Sequence, residues 1–319
     1  MLWSPASAVG QPIRMSPAVG QPIRMSAQQG TPLWDDGPRH TWERDIAGMD
    51  DGPVTVPMGG GDCVSTTVDA LDRDGVVRIN GALSQHSVRA LLMHVNAALV
   101  TALQAARGDL AYDVGDLLPA YFGNVLCRTS RYDLKLELTP TVAAAVAELL
   151  QAIEPTVSEH LGPDAELYEL AALISDPRSP RQPVHPDTPF REGEGAAVLT
   201  AFVALQPISE RMGPTSFLPR THSSTVHAAF NSNAAGPRSE LLSVWPVWPG
   251  LLGSGDVTLF DSRLLHCGGA NESPTRRVLF YVSFRAKHAR GADGGGTLLS
   301  ALRRASHSLR DHRSWLSVR

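Results

Sequence analysis

The hydrophobic positions of this chain change rhythm once, near residue 165. Before that point apolar residues recur at three- and four-residue steps. Val88, Leu91, Leu92, Val95, Leu99 and Leu103 fall on one face of a helix capped by Ser84. Val142, Val146, Leu149, Leu150 and Ile153 give a second stripe that starts at Thr139-Pro140. Pro155 is expected to break or restart this second helix, since it lacks the N–H that the ladder needs, and Gly162-Pro163 ends it. Ahead of both, residues 65–83 read as a short helix, a turn at Asp74-Gly75, a strand from Val76 to Ile79 and a turn at Asn80-Gly81.

After residue 165 short runs rich in Val, Leu and Phe are separated by clusters of Gly, Pro, Asn and Asp, which is strand patterning. The expected strands are 166–174, 183–187, 197–205, 215–218, 241–248, 256–260 and 277–284. Their spacing is that of a sandwich or jelly roll, with the earlier helices laid against one face. The predicted fold class is therefore mainly β with flanking helices.

The two ends lack this patterning. Residues 1–34 contain no Asp, Glu or Lys and carry AVGQPIRMS twice, at 8–16 and 18–26. Together with the Pro and Gly of DDGPVTVPMGGGD they predict a disordered extension over 1–62, ahead of a domain over 63–286. An acid-poor N-terminus with Arg and Ser fits either a transit peptide or a recent duplication, so the compartment reads as cytoplasmic, or organellar if the segment is a targeting peptide. From Lys287 onward seven Lys or Arg stand against two Asp, predicting a basic tail over 287–319 with a helix near 297–309. That helix reads as a solvated face or as a surface for an acidic partner.

Composition narrows the classes. A chain of 319 residues with 43% hydrophobic content can bury one large core. Its formal net charge of -4 provides no positive field, so nucleic acid is not an expected partner. No uninterrupted apolar run reaches the roughly 18–20 residues of a membrane span, so none is expected. Cys63, Cys127 and Cys267 are odd in number and scattered, which argues against a disulfide framework or a cysteine zinc site and for a reducing compartment.

Candidate chemistry sits in VHPDTPF at 184–190. On a strand, residues i and i+2 project to one side, so His185 and Asp187 can reach one ion together. Taken alone, that spacing arises easily by chance among eleven histidines. GDVTLFDSRLLHCGGANESPTRRVLFYVSF at 255–284 adds His266 between two β runs. Two histidines and one carboxylate on one face of an octahedral ion leave three positions open, enough for a bidentate 2-oxo acid and dioxygen.

Over about residues 65–285 the chain resembles the phytanoyl-CoA dioxygenase family of 2-oxoglutarate-dependent oxygenases. The resemblance is carried by DRDGVVRINGAL, QPVHPDTPF, MGPTSFLPRTH and GDVTLFDSRLLHCGGANESPTRR, in that order. It implies a double-stranded β-helix (a cupin-like jelly roll), iron(II) held by His185, Asp187 and His266, and 2-oxoglutarate and dioxygen as co-substrates. It further implies that Arg277 pairs with the distal carboxylate of 2-oxoglutarate, that Gln182 hydrogen-bonds the co-substrate near the metal, and that Thr215 makes a second carboxylate contact. Arg276 is the competitor of Arg277, and strand alternation admits only one of them to the interior.

The middle motif departs from the family. Met212 precedes Gly213 where Asn is common, and Arg220-Thr221 precede His222 where Pro-Gly-Ser is common. His222 and His227 read as packed histidines, Cys267 as core, and Trp245-Pro246 and Trp248-Pro249 as core or entrance. The implied reaction is by default hydroxylation of a small-molecule or acyl substrate with release of succinate and carbon dioxide, with desaturation, cyclisation and epoxidation left open. Two other readings are a catalytically silent binding protein on the same fold and a zinc-dependent hydrolase using the same three ligands.

Overall fold

Strand alternation sorts the second half of the chain onto two faces of one sheet. The structure is a computed structural model that describes residues 46, 48–58, 63–108, 119–232, 235–287, 289 and 296–317. Seven strands lie in the order β1 (Thr55–Pro57), β2 (Val76–Asn80), β8 (Val257–Asp261), β5 (Val198–Ala204), β10 (Arg277–Arg285), β4 (Glu166–Ser175) and β3 (Arg131–Lys135). β1 runs parallel to β2, and the other pairs are antiparallel. A smaller sheet of β7 (Trp248–Pro249), β6 (Thr215–Phe217) and β9 (His266–Gly268) completes a jelly roll.

β10 shows the sorting most clearly. Val278, Phe280, Val282 and Phe284 join the large core shared with the helices, while Leu279 and Tyr281 face the interior between the sheets. β4 does the same, with Leu170, Ala172 and Ile174 on the helix side and Ala171 and Leu173 opposite. A register shift against β4 falls between Ser283 and Phe284.

Three helices cover the outer face: α1 (Cys63–Asp74), α2 (Gln85–Gly108) and α3 (Pro140–Leu161). Ser84 begins α2, its hydroxyl accepting from the Ser87 N–H at 3.2 Å. Val88, Leu91, Val95 and Leu99 are fully or almost fully buried, each stabilising the packed state by about 1.5–3 kcal/mol. By length and composition α2 is apolar enough to cross a membrane. Reading uninterrupted runs overlooks this, because Arg89, His94 and Asn96 divide the segment. Its buried stripe is nevertheless that of a helix packed on the domain core.

Four expectations need correction. Pro155 does not break α3, because buried Ile153 and Val157 pin the helix on both sides of it. The stretch 241–248 is not a strand: α5 (Ala235–Val244), which follows α4 (Ser224–Phe230), occupies its first half and only Trp248–Pro249 is extended. Within 183–187 the pairing reduces to a single bridge at His185. The predicted N-terminal extension ends earlier than residue 62, since Thr55–Pro57 forms the edge strand β1 and buried Val56 joins the core. Most of that extension, including both copies of the repeat, lies outside the described residues.

The tail is not one helix either. Among its described residues only single turns occur, α6 (Ser300–Arg303) and α7 (His312–Trp315). The backbone there is committed to β4 instead: Leu170 N–H donates to Thr297 O and Leu167 N–H to His307 O, both at 3.0 Å. Leu309 N–H returns to Ala165 O at 2.7 Å. The tail thus covers the β4 edge that the shorter β3 leaves bare, as an exposed edge requires.

Candidate metal centre and its cavity

The site begins with one backbone pairing. His185 and His266 exchange N–H···O bonds, each 2.9 Å, in an isolated antiparallel bridge. This holds the two imidazoles with centroids 4.6 Å apart. Asp187 arrives two residues later, where its own N–H and that of Thr188 both donate to Ser262 O, at 2.8 and 3.0 Å.

Both rings have a fixed tautomer. His185 Nδ1 donates to Pro183 O and His266 Nδ1 to Leu264 O, each at 2.9 Å. A carbonyl can only accept, so each Nε2 presents a lone pair. Those two atoms lie 3.8 and 3.7 Å from the Asp187 oxygens, too far for hydrogen bonds. The three ligand atoms fall within 4.8 Å of one another. Burial, then the neighbouring His266, pushes the His185 pKa below its ordinary value, favouring the neutral ring that a metal needs.

The three residues open on a cavity of about 490 Å³. Thr215 lines it from β6, and its buried hydroxyl has no hydrogen-bond partner. Gln182 lines it too, but its amide is already engaged: Oε1 accepts from Gly268 N–H at 2.8 Å and Nε2 donates to Leu126 O at 3.1 Å. A Cβ at Gly268 would meet Gln182 Oε1 at 2.5 Å and Arg131 Nη2 at 3.7 Å, so glycine is needed for this approach. Gln182 thus braces β9 while its side chain stays on the cavity lining with one amide N–H to spare.

Behind this end of the cavity lies a cationic row. Arg131 on β3 and Arg277 on β10 are both opposite Ser175 of β4 in register. Both guanidiniums are fully buried and donate to the Ser175 hydroxyl, from Arg131 Nε at 3.2 Å and Arg277 Nη2 at 3.0 Å. Arg131 also reaches Gly269 O at 3.1 Å, and Arg277 reaches Gly213 O. Gly213, at φ 65°, lies against the Ala270 backbone, which leaves no room for a side chain. Arg131 Nη1 and Arg277 Nε remain without partners, and neither residue has a carboxylate partner among the described residues. Burial, then the charge of Arg131, pushes the Arg277 pKa down to about 9. Two buried cations thus stand side by side, each with one nitrogen unpartnered, and neither is on the cavity lining itself.

Arg276 faces the other way. It pairs with Asp176 and donates to Asn96 Oδ1 at 3.2 Å, outside the barrel. His227 is buried with Nε2 on Arg263 O at 2.7 Å, and His222 Nε2 lies 3.1 Å from Asp72 O; neither joins the ligand group. Cys267 is buried. Trp245 Nε1 donates to Pro219 O at 2.7 Å and Trp248 Nε1 to Asp50 O at 2.9 Å, as core tryptophans require.

Sequence reasoning missed the polar lining at the far end of the cavity: Asp133, Glu169, Tyr281 and Thr297. A signal for part of it existed. Arg131 and Asp133 alternate on β3 with Tyr132 and Leu134, which pack on the helix-side core. Thr297 carried no such signal, because it stands in a loop whose role depends on where the tail docks.

The sequence matches the phytanoyl-CoA dioxygenase (PhyH) family over residues 71–279. No curated protein matches it. Among solved structures, AviO1 from Streptomyces viridochromogenes Tue57 is similar at 19% identity and TM-score 0.51, covering 71% of this chain and 96% of that one. The non-heme alpha ketoglutarate dependent carbocyclase SnoK from nogalamycin biosynthesis is similar at 18% identity and TM-score 0.50, covering 76% and 90%. At such identities these structures speak for the fold alone.

Proposed function

This chain belongs to the phytanoyl-CoA dioxygenase family, and from that premise we propose that it is an iron(II)- and 2-oxoglutarate-dependent dioxygenase. The reaction we propose is hydroxylation of a small molecule with release of succinate and carbon dioxide. The carrying observation is the convergence of three metal-ligand atoms within 4.8 Å, together with two buried guanidiniums that have no carboxylate partner among the described residues.

The donor set suits the group. Two neutral imidazoles and one carboxylate leave open positions on iron(II) for a chelating 2-oxo acid and dioxygen. When bound, that group supplies oxidative decarboxylation of 2-oxoglutarate coupled to oxidation of a substrate C–H bond. The protein's own residues do the positioning. Arg277, supported by Arg131, receives the distal carboxylate, and the unpartnered Thr215 hydroxyl provides a further donor. Gln182 fixes the β9 backbone beside His266. The Pro183 and Leu264 carbonyls keep both imidazoles in the ligating tautomer.

A zinc hydrolase on the same ligands would leave Arg131 and Arg277 buried, charged and without function, which is costly. Anaerobic titration of the protein with iron(II) and 2-oxoglutarate tests the reading. A weak visible charge-transfer band that appears only with both components, and succinate formation on admitting oxygen, are expected. Hydrolysis with zinc and no band with iron would overturn it.

A further inference from the structure

This inference deepens the reading above and rests on it, because it concerns the substrate that the same cavity receives. Asp133 and Glu169 line the cavity together with Asp187, yet its lining contains no Lys or Arg among the described residues. Asp133 is buried, and its oxygens accept from Tyr281 O–H and Thr297 O–H, both at 2.7 Å. Glu169 accepts from Ser283 O–H at 2.6 Å and from Thr297 N–H at 3.2 Å. All four donors are neutral. Lys135 shares the inward side of β3, but its ammonium turns to Pro119 O at 2.5 Å and does not join the lining.

Thr297 binds both carboxylates and so holds them as neighbours at one end of the space. That this space receives a ligand is indicated by the cavity itself, about 490 Å³, which the three metal-ligand residues and both acids line together. Charge matching then separates the ligands. Asp187 belongs to the metal, and Arg131 and Arg277 belong to the dianionic co-substrate. Asp133 and Glu169 are left over. Burial, with Asp187 and Asp133 adding repulsion, pushes Glu169 up to about 7, so the pocket resists its own negative charge until a cation arrives.

We propose that the substrate carries a protonated amine, and that Asp133 and Glu169 are the residues that receive it. A neutral polyol could donate hydroxyls to these carboxylates but would bring no charge to offset theirs, and a charge-assisted hydrogen bond is the stronger one. A carboxylate or phosphate at this end would meet like charges.

The test uses the full chain loaded with iron(II) and 2-oxoglutarate under anaerobic conditions, and two matched probe sets. One is glucosamine, glucose and glucuronate; the other is 1,6-diaminohexane, 1,6-hexanediol and adipate. Calorimetry should show an amine member binding roughly tenfold or more tightly than its hydroxyl and carboxylate counterparts, in line with one charge-assisted hydrogen bond. Glu169→Gln, which keeps the size and the Thr297 contact, should abolish most of that preference, and Asp133→Asn should do likewise if it folds. Equal or tighter binding of a hydroxyl or carboxylate member, no binding by either amine, or a preference that survives Glu169→Gln overturns the proposal. The charge-transfer band is read in the same samples. A normal band without amine preference rejects this inference and leaves the oxygenase reading standing, whereas amine binding without the band does the reverse.

Discussion

The two faces of β10 are built from alternate residues of one nine-residue strand, yet they obey opposite rules. Toward the helices stand Val278, Phe280, Val282 and Phe284, apolar and buried. Toward the interior stand Leu279 and, equally buried but polar and tied into the cavity region, Arg277, Tyr281 and Ser283. Burial alone therefore does not identify the core of this protein. What separates the faces is whether a buried group is satisfied: the helix side offers no unmatched polar atom on this strand, while the interior side keeps Arg277 Nε in reserve. The helix side carries packing alone, whereas the interior side combines a smaller apolar cluster around Phe202, Phe217 and Phe260 with the polar groups of the site.

That division can be broken by experiment, and the largest expected effect is at the metal. His266→Ala leaves two protein ligands, so bound iron and succinate formation should both fall to background while the fold persists. Near-normal iron content in that variant would mean that the third ligand is another residue. On the opposite face Phe280→Ala should cost about 3–5 kcal/mol of unfolding free energy, because it opens a cavity in a closely packed layer. Its folded fraction should bind 2-oxoglutarate normally, and a parallel loss of affinity would show that the faces are coupled.

A pH experiment sharpens the interior side. Glu169 has its pKa raised from 4.5 to about 7 by burial and by neighbouring acids. Between those values the folded protein holds a proton that the unfolded chain has released, so stability should fall as pH rises through the window. The drop is at most about 3 kcal/mol, less where cavity water screens the charge. Denaturant midpoints at pH 5 and pH 8, without added amines, should show it, and Glu169→Gln should flatten that part of the slope.

The arginines give the finest distinction. Arg277→Ala should weaken 2-oxoglutarate binding roughly 10- to 150-fold, the loss of a charge-assisted contact worth about 1.5–3 kcal/mol. Arg276→Ala should change it little, since that guanidinium belongs to Asp176 outside the barrel. The reverse order would require the 2-oxoglutarate site to lie elsewhere.

The sequence was informative wherever a short repeat or a local spacing carried the information. Alternation admitted only one of Arg276 and Arg277 to the interior and the resemblance to the family chose Arg277, while the i, i+2 spacing brought His185 and Asp187 together. Longer-range information was hidden. His185 pairs with His266 across 80 intervening positions through a single bridge rather than through the full strand that its neighbours suggested. The stretch 241–248 looked like a strand because Leu, Val and Trp serve either state, and its helix packs through buried Leu241 and Trp245. Arg131 could be seen as polar but not as the partner of Arg277, because only the register with Ser175 makes them neighbours.

The position of Thr297 sets an order of events. It stands 22 residues short of the last residue of the sequence, yet it supplies the hydroxyl and the N–H that tie Asp133 to Glu169. A chain emerging from the ribosome therefore makes its metal ligands long before it can finish the wall opposite them. During that interval two acids stand without their shared donor and the β4 edge is uncovered. The pocket is thus completed only after its metal ligands, once the segment that carries Thr297 docks on β4.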